Sequence, residues 1–258
     1  MALSTFSIFY YGYTVNAGNK FINFDEGAGE LTAQIEIGSY TLTEILVKIK
    51  TAMDAVGTDT YTVTVDRDTR IITIASDGTF SLLLSTGSQV GSSPFSLLGF
   101  TSGADTASAA SHAGDEASGF SYKPQFILQD FTDSDNWQEA IDSSVNESAT
   151  GSLEVVNFGT RFFTEFSFKF ISNLSQDHTI IKNNPTGLAD AQVFLREITT
   201  KNPVEIMFDI SDRATFKKIV LESTPSSSTG TAYKLKELTG KNLPGYYEIN
   251  NLKFRVFP

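Results

Sequence analysis

Residues 38–100 read GSYTLTEILVKIKTAMDAVGTDTYTVTVDRDTRIITIASDGTFSLLLSTGSQVGSSPFSLLGF and hold the clearest local signals in the chain. They predict a helix over residues 41–56, because Thr41 is a good N-cap and Glu44 completes a capping box. Apolar residues then recur at spacings of three and four, as one buried helix face requires. They are Leu42, Ile45, Leu46, Ile49, Ala52, Met53 and Val56. Gly57 supplies the C-terminal stop.

A β-hairpin is predicted directly after this helix. Residues 61–65 alternate Tyr and Val with Thr, residues 66–69 turn the chain, and residues 70–75 return it. Asp77-Gly78 predicts another turn before a third strand at residues 80–84. All these pieces are structural, and none is catalytic. The stretch therefore indicates a protein that works by occupying a place in an assembly.

Composition allows a sizeable core and excludes several kinds of site. The chain has 258 residues and 40 % hydrophobic content, enough for one large domain or two medium ones. It has no cysteine, so disulfides, thiolate metal sites and a cysteine nucleophile are impossible. The first residues lack a signal peptide pattern, and no run approaches 18 apolar residues, so no membrane insertion is expected.

The formal net charge of −11 indicates which kinds of partner the chain can bind. Gripping a phosphate backbone requires clustered Lys and Arg, so no specific nucleic-acid binding is expected. A negative surface suits a channel through which nucleic acid must slide, but solubility is the more ordinary explanation of such a charge. The basic residues 217, 218, 234, 236 and 241 are interleaved with Glu222 and Glu237, which indicates a mixed surface or a subunit contact.

The pattern predicts an α+β, β-rich fold made of antiparallel sheets, as a β-sandwich or barrel, with one packed helix per domain. We expect a β-rich domain at residues 1–105 with helix 41–56, and a sandwich- or barrel-like domain at residues 121–258 with helix 187–199. The small, polar sequence TSGADTASAASHAGDEASG at residues 101–119 indicates a linker, placed at residues 106–120.

Three further elements are predicted in the second domain. Asp135 with Gln138 resembles a helix start, with Trp137, Ala140 and Ile141 facing a core. Residues 153–158 and 161–170 predict a hairpin around Gly159. The later helix has Thr186 as its expected cap. Its predicted buried stripe is Leu188, Ala191, Phe194, Leu195 and Ile198.

A search for chemistry assigns no catalytic, cofactor-binding or metal residue, and no enzymatic activity is expected. No nucleophile elbow, phosphate-binding loop, dinucleotide fingerprint or zinc-protease motif is present. His112 and His178 lie far apart in polar sequence, without the supporting partners that a triad or zinc site needs. Carboxylates are plentiful, so the sequence leaves a glycosidase pair open, but it singles out no pair.

Two acidic segments could be interpreted as cation-binding loops. Asp133-Ser134-Asp135 begins like a calcium loop, but the fifth position is Trp137, where an oxygen ligand belongs. The turn with Asp25, Glu26 and Glu30 is more typical of a solvated loop. No cofactor is expected at either segment.

Part of the chain resembles a module of virion structural proteins of tailed bacteriophages. The residues that carry the resemblance are Ser39-Tyr40-Thr41-Leu42-Thr43-Glu44, Tyr61-Thr62-Val63-Thr64-Val65, Ile71-Ile72-Thr73-Ile74 and Ser96-Leu97-Leu98-Gly99-Phe100. The stretch that contains them, residues 38–100, covers about a quarter of the chain. The remainder is similar to tail and baseplate proteins, through residues 158–170, 188–198 and 238–247.

The resemblance implies an architectural role in a virion assembled in the host cytoplasm. The expected function is a tail or baseplate ring or adaptor protein, whose partners are copies of itself and other virion structural proteins. Tail symmetry implies three or six copies. The alternative within this class is a head decoration or head-to-tail connector protein. The alternative from another class is a carbohydrate-binding adhesion module.

Overall fold

The computed structural model describes residues 8–122, 127–128, 138–147, 153–172, 188–207, 216–222, 236–238 and 246–257. Within them the chain forms mainly antiparallel strands and two α-helices, so the prediction of a β-rich α+β protein is confirmed. The predictions for Thr186, His178 and residues 133–135 concern positions outside these residues.

The first half of the chain alternates short strands with one helix. Its elements are β1 Ile8–Tyr11, β2 Tyr13–Val15, β3 Phe21–Asp25, β4 Glu30–Gln34, β5 Gly38–Tyr40, α1 Leu42–Asp54, β6 Tyr61–Asp66, β7 Ile71–Leu82 and β8 Ala109–Ala113. Strands β4, β3, β7 and β6 form a sheet in that order, and β8 also pairs with β7.

The second half contains longer strands and the second helix. Its elements are β9 Phe120–Tyr122, β10 Ile127–Leu128, β11 Gln138–Glu147, β12 Leu153–Ser172, α2 Leu188–Thr199, β13 Val204–Met207, β14 Phe216–Leu221, β15 Lys236–Glu237 and β16 Tyr246–Phe257. The sheet order is β10-β12-β16-β14-β13-β1-β9, with β11 paired to β12 and β15 to β16.

Two compact units share the chain, and one is inserted into the other. Residues 10–121 form the inserted unit, and residues 122–258 group with the chain up to Phe9 as the second unit. The chain therefore passes between the units twice, within β1 and within β9. The second domain, predicted to begin at residue 121, starts at this boundary, but the chain up to Phe9 groups with it.

The segment predicted as a linker, residues 106–120, belongs to the inserted unit. Strand β8 pairs with β7, and Ser118 is buried with its hydroxyl donating to the Arg70 carbonyl at 2.8 Å. Small residues are needed here because backbones approach closely: a Cβ on Gly114 would lie 3.0 Å from the Gly99 carbonyl oxygen. The small-residue composition reflects this packing and not a loop exposed along its length.

Helix α1 begins as predicted. The Thr41 side chain accepts a hydrogen bond from the Glu44 N–H, and the Glu44 carboxylate accepts one from the Thr41 N–H. The helix buries a stripe against the sheet. Its buried residues are Leu42, Ile45, Ile49, Ala52 and Met53. Leu46 is only half-buried, and Val56 lies exposed beyond the helix end at Asp54, so the predicted stripe was too wide.

The predicted hairpin is confirmed as β6 and β7, but the expected turn at Asp77-Gly78 is wrong. Strand β7 runs without a break through both residues, and its pairing with β8 shifts register between Ala75 and Phe80. A bulge absorbs the extra residues there. The Asp77 carboxylate accepts a hydrogen bond from the Thr60 N–H at 2.8 Å, which ties the bulge to the start of the hairpin.

The Leu97-Leu98-Gly99-Phe100 sequence forms a buried turn that requires its glycine. Gly99 has a φ of +86°, and a Cβ there would lie 2.2 Å from the Glu116 carbonyl oxygen. Leu98 and Phe100 on either side are buried. The turn therefore needs both the left-handed backbone conformation and the missing side chain.

The second unit has an aromatic core between its sheet and α2. Phe194 of the helix contacts Phe9, Tyr122 and Phe168, with ring centroids 4.8–6.2 Å apart. Phe166 meets Phe9 edge to face. The helix predicted over residues 187–199 is observed as α2, and its predicted stripe at residues 191, 194, 195 and 198 is buried.

Two predictions in this unit are wrong. Residues 153–158 and 161–170 are not two hairpin arms, because β12 continues through Gly159. Its hairpin partner is β11, which occupies part of the expected second helix. The pairing of β11 with β12 shifts register between Asp142 and Ser143, beside Gly159. Gly159 thus marks a bulge, since glycine tolerates the backbone conformations found there.

Candidate functional site

The acidic turn between β3 and β4 uses its carboxylates internally. Asp25 Oδ1 accepts hydrogen bonds from the Gly27 and Gly29 N–H groups at 2.7 and 3.0 Å. The Glu30 carboxylate accepts from the Ser88 N–H and hydroxyl and from the Asn23 amide. Hydrogen bonds from Ser88 are the main cause that lowers the pKa of Glu30. These contacts hold loops in place.

Glu26 anchors the chain that follows α1. Its carboxylate accepts hydrogen bonds from the Thr58 N–H and hydroxyl, the Asp59 N–H, and the Tyr61 hydroxyl. Desolvation alone would raise the pKa of Glu26, but these donors outweigh it and lower the pKa. Burial, and then the bond to Glu26, raise the pKa of the Tyr61 hydroxyl. The glutamate therefore stays ionised and fixes the start of β6.

Asp105 likewise anchors a chain segment through hydrogen bonds to its carboxylate. It lies before β8 and holds Ser85 and Thr86, which follow β7. Its Oδ1 accepts from the Ser85 N–H at 2.7 Å, the Ser85 hydroxyl at 2.9 Å and the Thr86 N–H at 3.2 Å. The Thr86 hydroxyl donates to Oδ2. Desolvation opposes ionisation, but these donors prevail and lower the pKa of Asp105 to about 2.

We expect Asp105→Asn to lower the melting temperature at neutral pH. The folded-state pKa of Asp105 lies below its ordinary value of 3.8, so the carboxylate stabilises the fold above that value. This contribution is lost as pH falls toward about 2. Thermal unfolding from pH 7 to pH 2 should show the gap between variant and unaltered chain closing below about pH 4. Glu116→Gln, at an exposed position, serves as the control, and a pH-independent gap would contradict the assignment.

No cluster of three or more His, Asp or Glu side chains suited to a metal ion occurs in the described part of the chain. The carboxylates of the acidic turn have protein donors instead of a shared centre. We therefore expect that EDTA leaves the melting temperature of the purified chain unchanged. A fall of several degrees, reversed by adding calcium, would show that this turn holds a cation.

His112 is a structural residue of β8. It is buried, its Nε2 lies 2.7 Å from the Phe80 carbonyl oxygen, and its ring meets the Phe80 ring edge to face. The Thr106 hydroxyl lies 3.4 Å from the same nitrogen. These contacts pack His112 of β8 against Phe80 of β7.

Three of the basic residues that the sequence singles out lie on sheet strands of the second unit. Lys217 and Lys218 belong to β14, and Lys236 of β15 lies 3.6 Å from the buried carboxylate of Glu248. Positions 234 and 241 lie outside the described residues. Other cations sit over aromatic rings, such as Lys253 over Phe163 at 4.5 Å. This arrangement matches the mixed surface that the sequence predicts.

The most distinctive feature of the second unit is a two-stranded extension, here called the ribbon, formed by residues 138–147 and 153–161. Strand β12 has 20 residues, but its pairing with β16 begins only at Phe162. Among the described strands, residues 153–161 pair only with β11. Among the described strands, none pairs with the outer edge of β11 or with the opposite edge of residues 153–161.

Strand alternation divides the ribbon into two unlike faces. The register pairs on one face are Glu139 with Phe162, Ile141 with Thr160, Ser143 with Asn157, Val145 with Val155 and Glu147 with Leu153. The pairs on the other are Gln138 with Phe163, Ala140 with Arg161, Asp142 with Gly159, Ser144 with Val156 and Asn146 with Glu154. The first face holds most of the ribbon's large apolar residues, and the second is mainly polar.

The aromatic residues offer little exposed surface. Phe120 is the most exposed among those described, at 54 %, and it stacks on the buried Tyr11 with ring centroids 5.7 Å apart. Its ring lies so close to Gly12 that a Cβ there would be 2.6 Å from Phe120 Cδ2. Most other described aromatics are core residues, as the sequence predicts.

No protein-family model matches this chain, and no curated protein matches its sequence. In the described residues, neither helix has the length and apolar character needed to span a bilayer.

Sequence reasoning missed the ribbon. Ile141 and Val145 recur at a spacing of four, which fits a helix and an alternating strand equally well. Asp135 and Gln138 then favoured the helix. The β-branched residues Val155 and Val156 favour a strand, as predicted for residues 153–158, but Asp142, Ser143 and Ser144 give no strand signal for the partner.

Proposed function

We propose that this chain is a structural subunit of a tailed-bacteriophage virion that self-associates into a ring in the tail or baseplate. In this role it also connects neighbouring virion proteins. The resemblance of residues 38–100 to virion modules supports the class of protein. The ribbon supports self-association, and it is the observation on which the proposal depends.

The ribbon supports self-association because it is a weak structure on its own. Two-stranded hairpins are only marginally stable in water, and open edges invite pairing with other chains. A cyclic assembly covers such edges in every copy at once. We expect three or six copies, as the symmetry of a tail implies.

The charge distribution supports the same role. The inserted unit has 13 Asp and Glu against 5 Lys and Arg, a formal charge of −8 out of the chain's −11. Its loop-anchoring carboxylates Glu26, Glu30 and Asp105 have lowered pKa values, so they remain ionised at neutral pH. In a ring, acidic surface facing the channel would let DNA pass without being retained.

Native mass spectrometry and negative-stain microscopy of the purified full chain test self-association. We expect closed rings of one size. A variant with residues 143–157 replaced by Asn-Gly shortens the ribbon beyond its bulge. It should remain folded, with a cooperative thermal unfolding transition, and should form no rings. A monomeric unaltered chain, or rings that persist in the shortened variant, would contradict the proposal.

A carbohydrate-binding module is a second candidate, favoured by one observation, the exposed Phe120 ring stacked on Tyr11. Exposed aromatic rings of this kind can pack against sugar faces. A glycan array separates the two functions. Binding that is lost in Phe120→Ala, in a chain that forms no rings, would favour this second function.

A further inference from the structure

The ribbon has two edges with backbone groups available for pairing, and they lie on different strands. One is the outer edge of β11, residues 138–147. The other is the edge of residues 153–161 in β12 that faces away from β11. No strand in the described residues covers either edge. Ten paired residues extend over about 34 Å, long enough for a substantial strand-to-strand contact.

We propose that the outer edge of β11 in one copy pairs with residues 153–161 of β12 in the next copy, so that the ribbons form one closed sheet. This inference rests on the proposed ring and names the segments that build it. The partner at each edge is a second copy of this chain.

The directions of the strands in the ring support this pairing. Strands β11 and β12 are antiparallel within one ribbon. Cyclic symmetry gives the ribbons of all copies the same orientation along the ring axis. The strands therefore alternate β12, β11, β12, β11 around the ring, and each new contact is antiparallel. No strand has to reverse or change register within its own copy.

Other pairing partners would leave one edge of the ribbon uncovered. A two-fold dimer would pair β11 with β11 and leave both copies of residues 153–161 open. A single strand from a different protein would cover one edge only. The head-to-tail ring covers both edges of every copy, which is the arrangement that removes sheet edges altogether.

Burial of the ribbon's apolar face also favours the head-to-tail ring. It continues the sheet face that includes Phe166 and Phe168, against which α2 packs. The helix covers that face near Phe168, whereas Phe162, where the ribbon begins, is already 36 % exposed. Adjacent ribbons would bring Ile141, Val145 and Val155 positions of neighbouring copies onto one continuous face. Burial of such a face would stabilise the ring.

The absence of cysteine makes a disulfide test direct. One chain carries Ser144→Cys in β11, and a second set carries one cysteine at each of residues 153–161. After mixing, reassembly and mild oxidation, we expect the first chain to cross-link to one or two neighbouring positions of the set. Disulfides need Cα atoms within about 7 Å, so the positions report the register. Val193→Cys, exposed on α2, is the control for random collision.

Hydrogen exchange of the unaltered chain gives a second measurement that needs no variant. Residues 138–147 and 153–161 should exchange more slowly in the ring than in the chain dissociated by dilution. Rings with no cross-links and no added protection in these segments would overturn the pairing but leave ring formation intact. Dominant Ser144→Cys self-cross-links would indicate β11–β11 pairing and overturn it as well. A chain without rings would contradict the proposed function itself.

Discussion

Replacing Phe194 with Ala should lower the free energy of unfolding of the second unit by about 3–5 kcal/mol. Phe194 is fully buried, and it contacts aromatic rings from the N-terminal segment, β9 and β12. Truncation removes these contacts and leaves a cavity that rigid neighbouring rings cannot fill. Urea unfolding followed by tryptophan and tyrosine fluorescence measures the effect.

Val193→Ala is the matched control for this change. Val193 is the neighbour of Phe194 on α2, but it is 44 % exposed. Its replacement should change the free energy of unfolding by less than about 0.5 kcal/mol. Equal effects of the two substitutions would show that α2 does not pack with Phe194 toward the core.

Ile49→Ala should lower the free energy of unfolding of the inserted unit by about 2–5 kcal/mol. Ile49 is fully buried at the middle of α1, on the face that packs on β4 and β6. Leu46→Ala should have a smaller effect, because Leu46 is only half-buried. Chemical unfolding monitored by circular dichroism compares the variants.

Val47→Ala is the control on the same helix, since Val47 is 57 % exposed. We expect almost no change in stability, because alanine has the higher helix propensity and little surface is lost. The order Ile49, then Leu46, then Val47 follows from burial alone. A different order would mean that α1 is rotated from the position described here.

Helix α1 and the β6–β7 hairpin could be predicted because their signals are local. The capping box of Thr41 and Glu44 involves residues three apart, and the hairpin arms are joined by a short turn. Such signals depend little on distant parts of the chain. The stripe of α2 was predictable for the same reason.

The pairing of β11 with β12 was not predictable in this way. Gly159 and Asp77-Gly78 are typical turn residues, but both lie inside long strands at register shifts. The choice between a turn and a bulge depends on whether a partner strand continues alongside, which is a long-range property. Ala140 and Ile141 were predicted to face a core from a helix, and only their pairing with β12 identifies this segment as a strand.

The role of the small residues at 106–120 was hidden for a similar reason. Ser118 and Gly119 were interpreted as parts of a linker, yet Ser118 and Gly119 pack closely on Tyr13. Small side chains are typical of exposed loops and also of places where backbones meet. The acidic residues were correctly placed in loops, but their specific hydrogen-bond partners, such as Ser85 and Thr86 for Asp105, lie too far along the chain to be predicted.

Cryo-electron microscopy of the phage particle proposed to contain this chain tests the central claim most directly. We expect a closed ring of three or six copies in the tail or baseplate, with density continuous between the ribbon of each copy and that of its neighbour. A ring in the head or at the head-to-tail joint would keep the architectural role and change its position. Isolated copies without contacts between subunits, or particles that lack the chain, would contradict the proposed function.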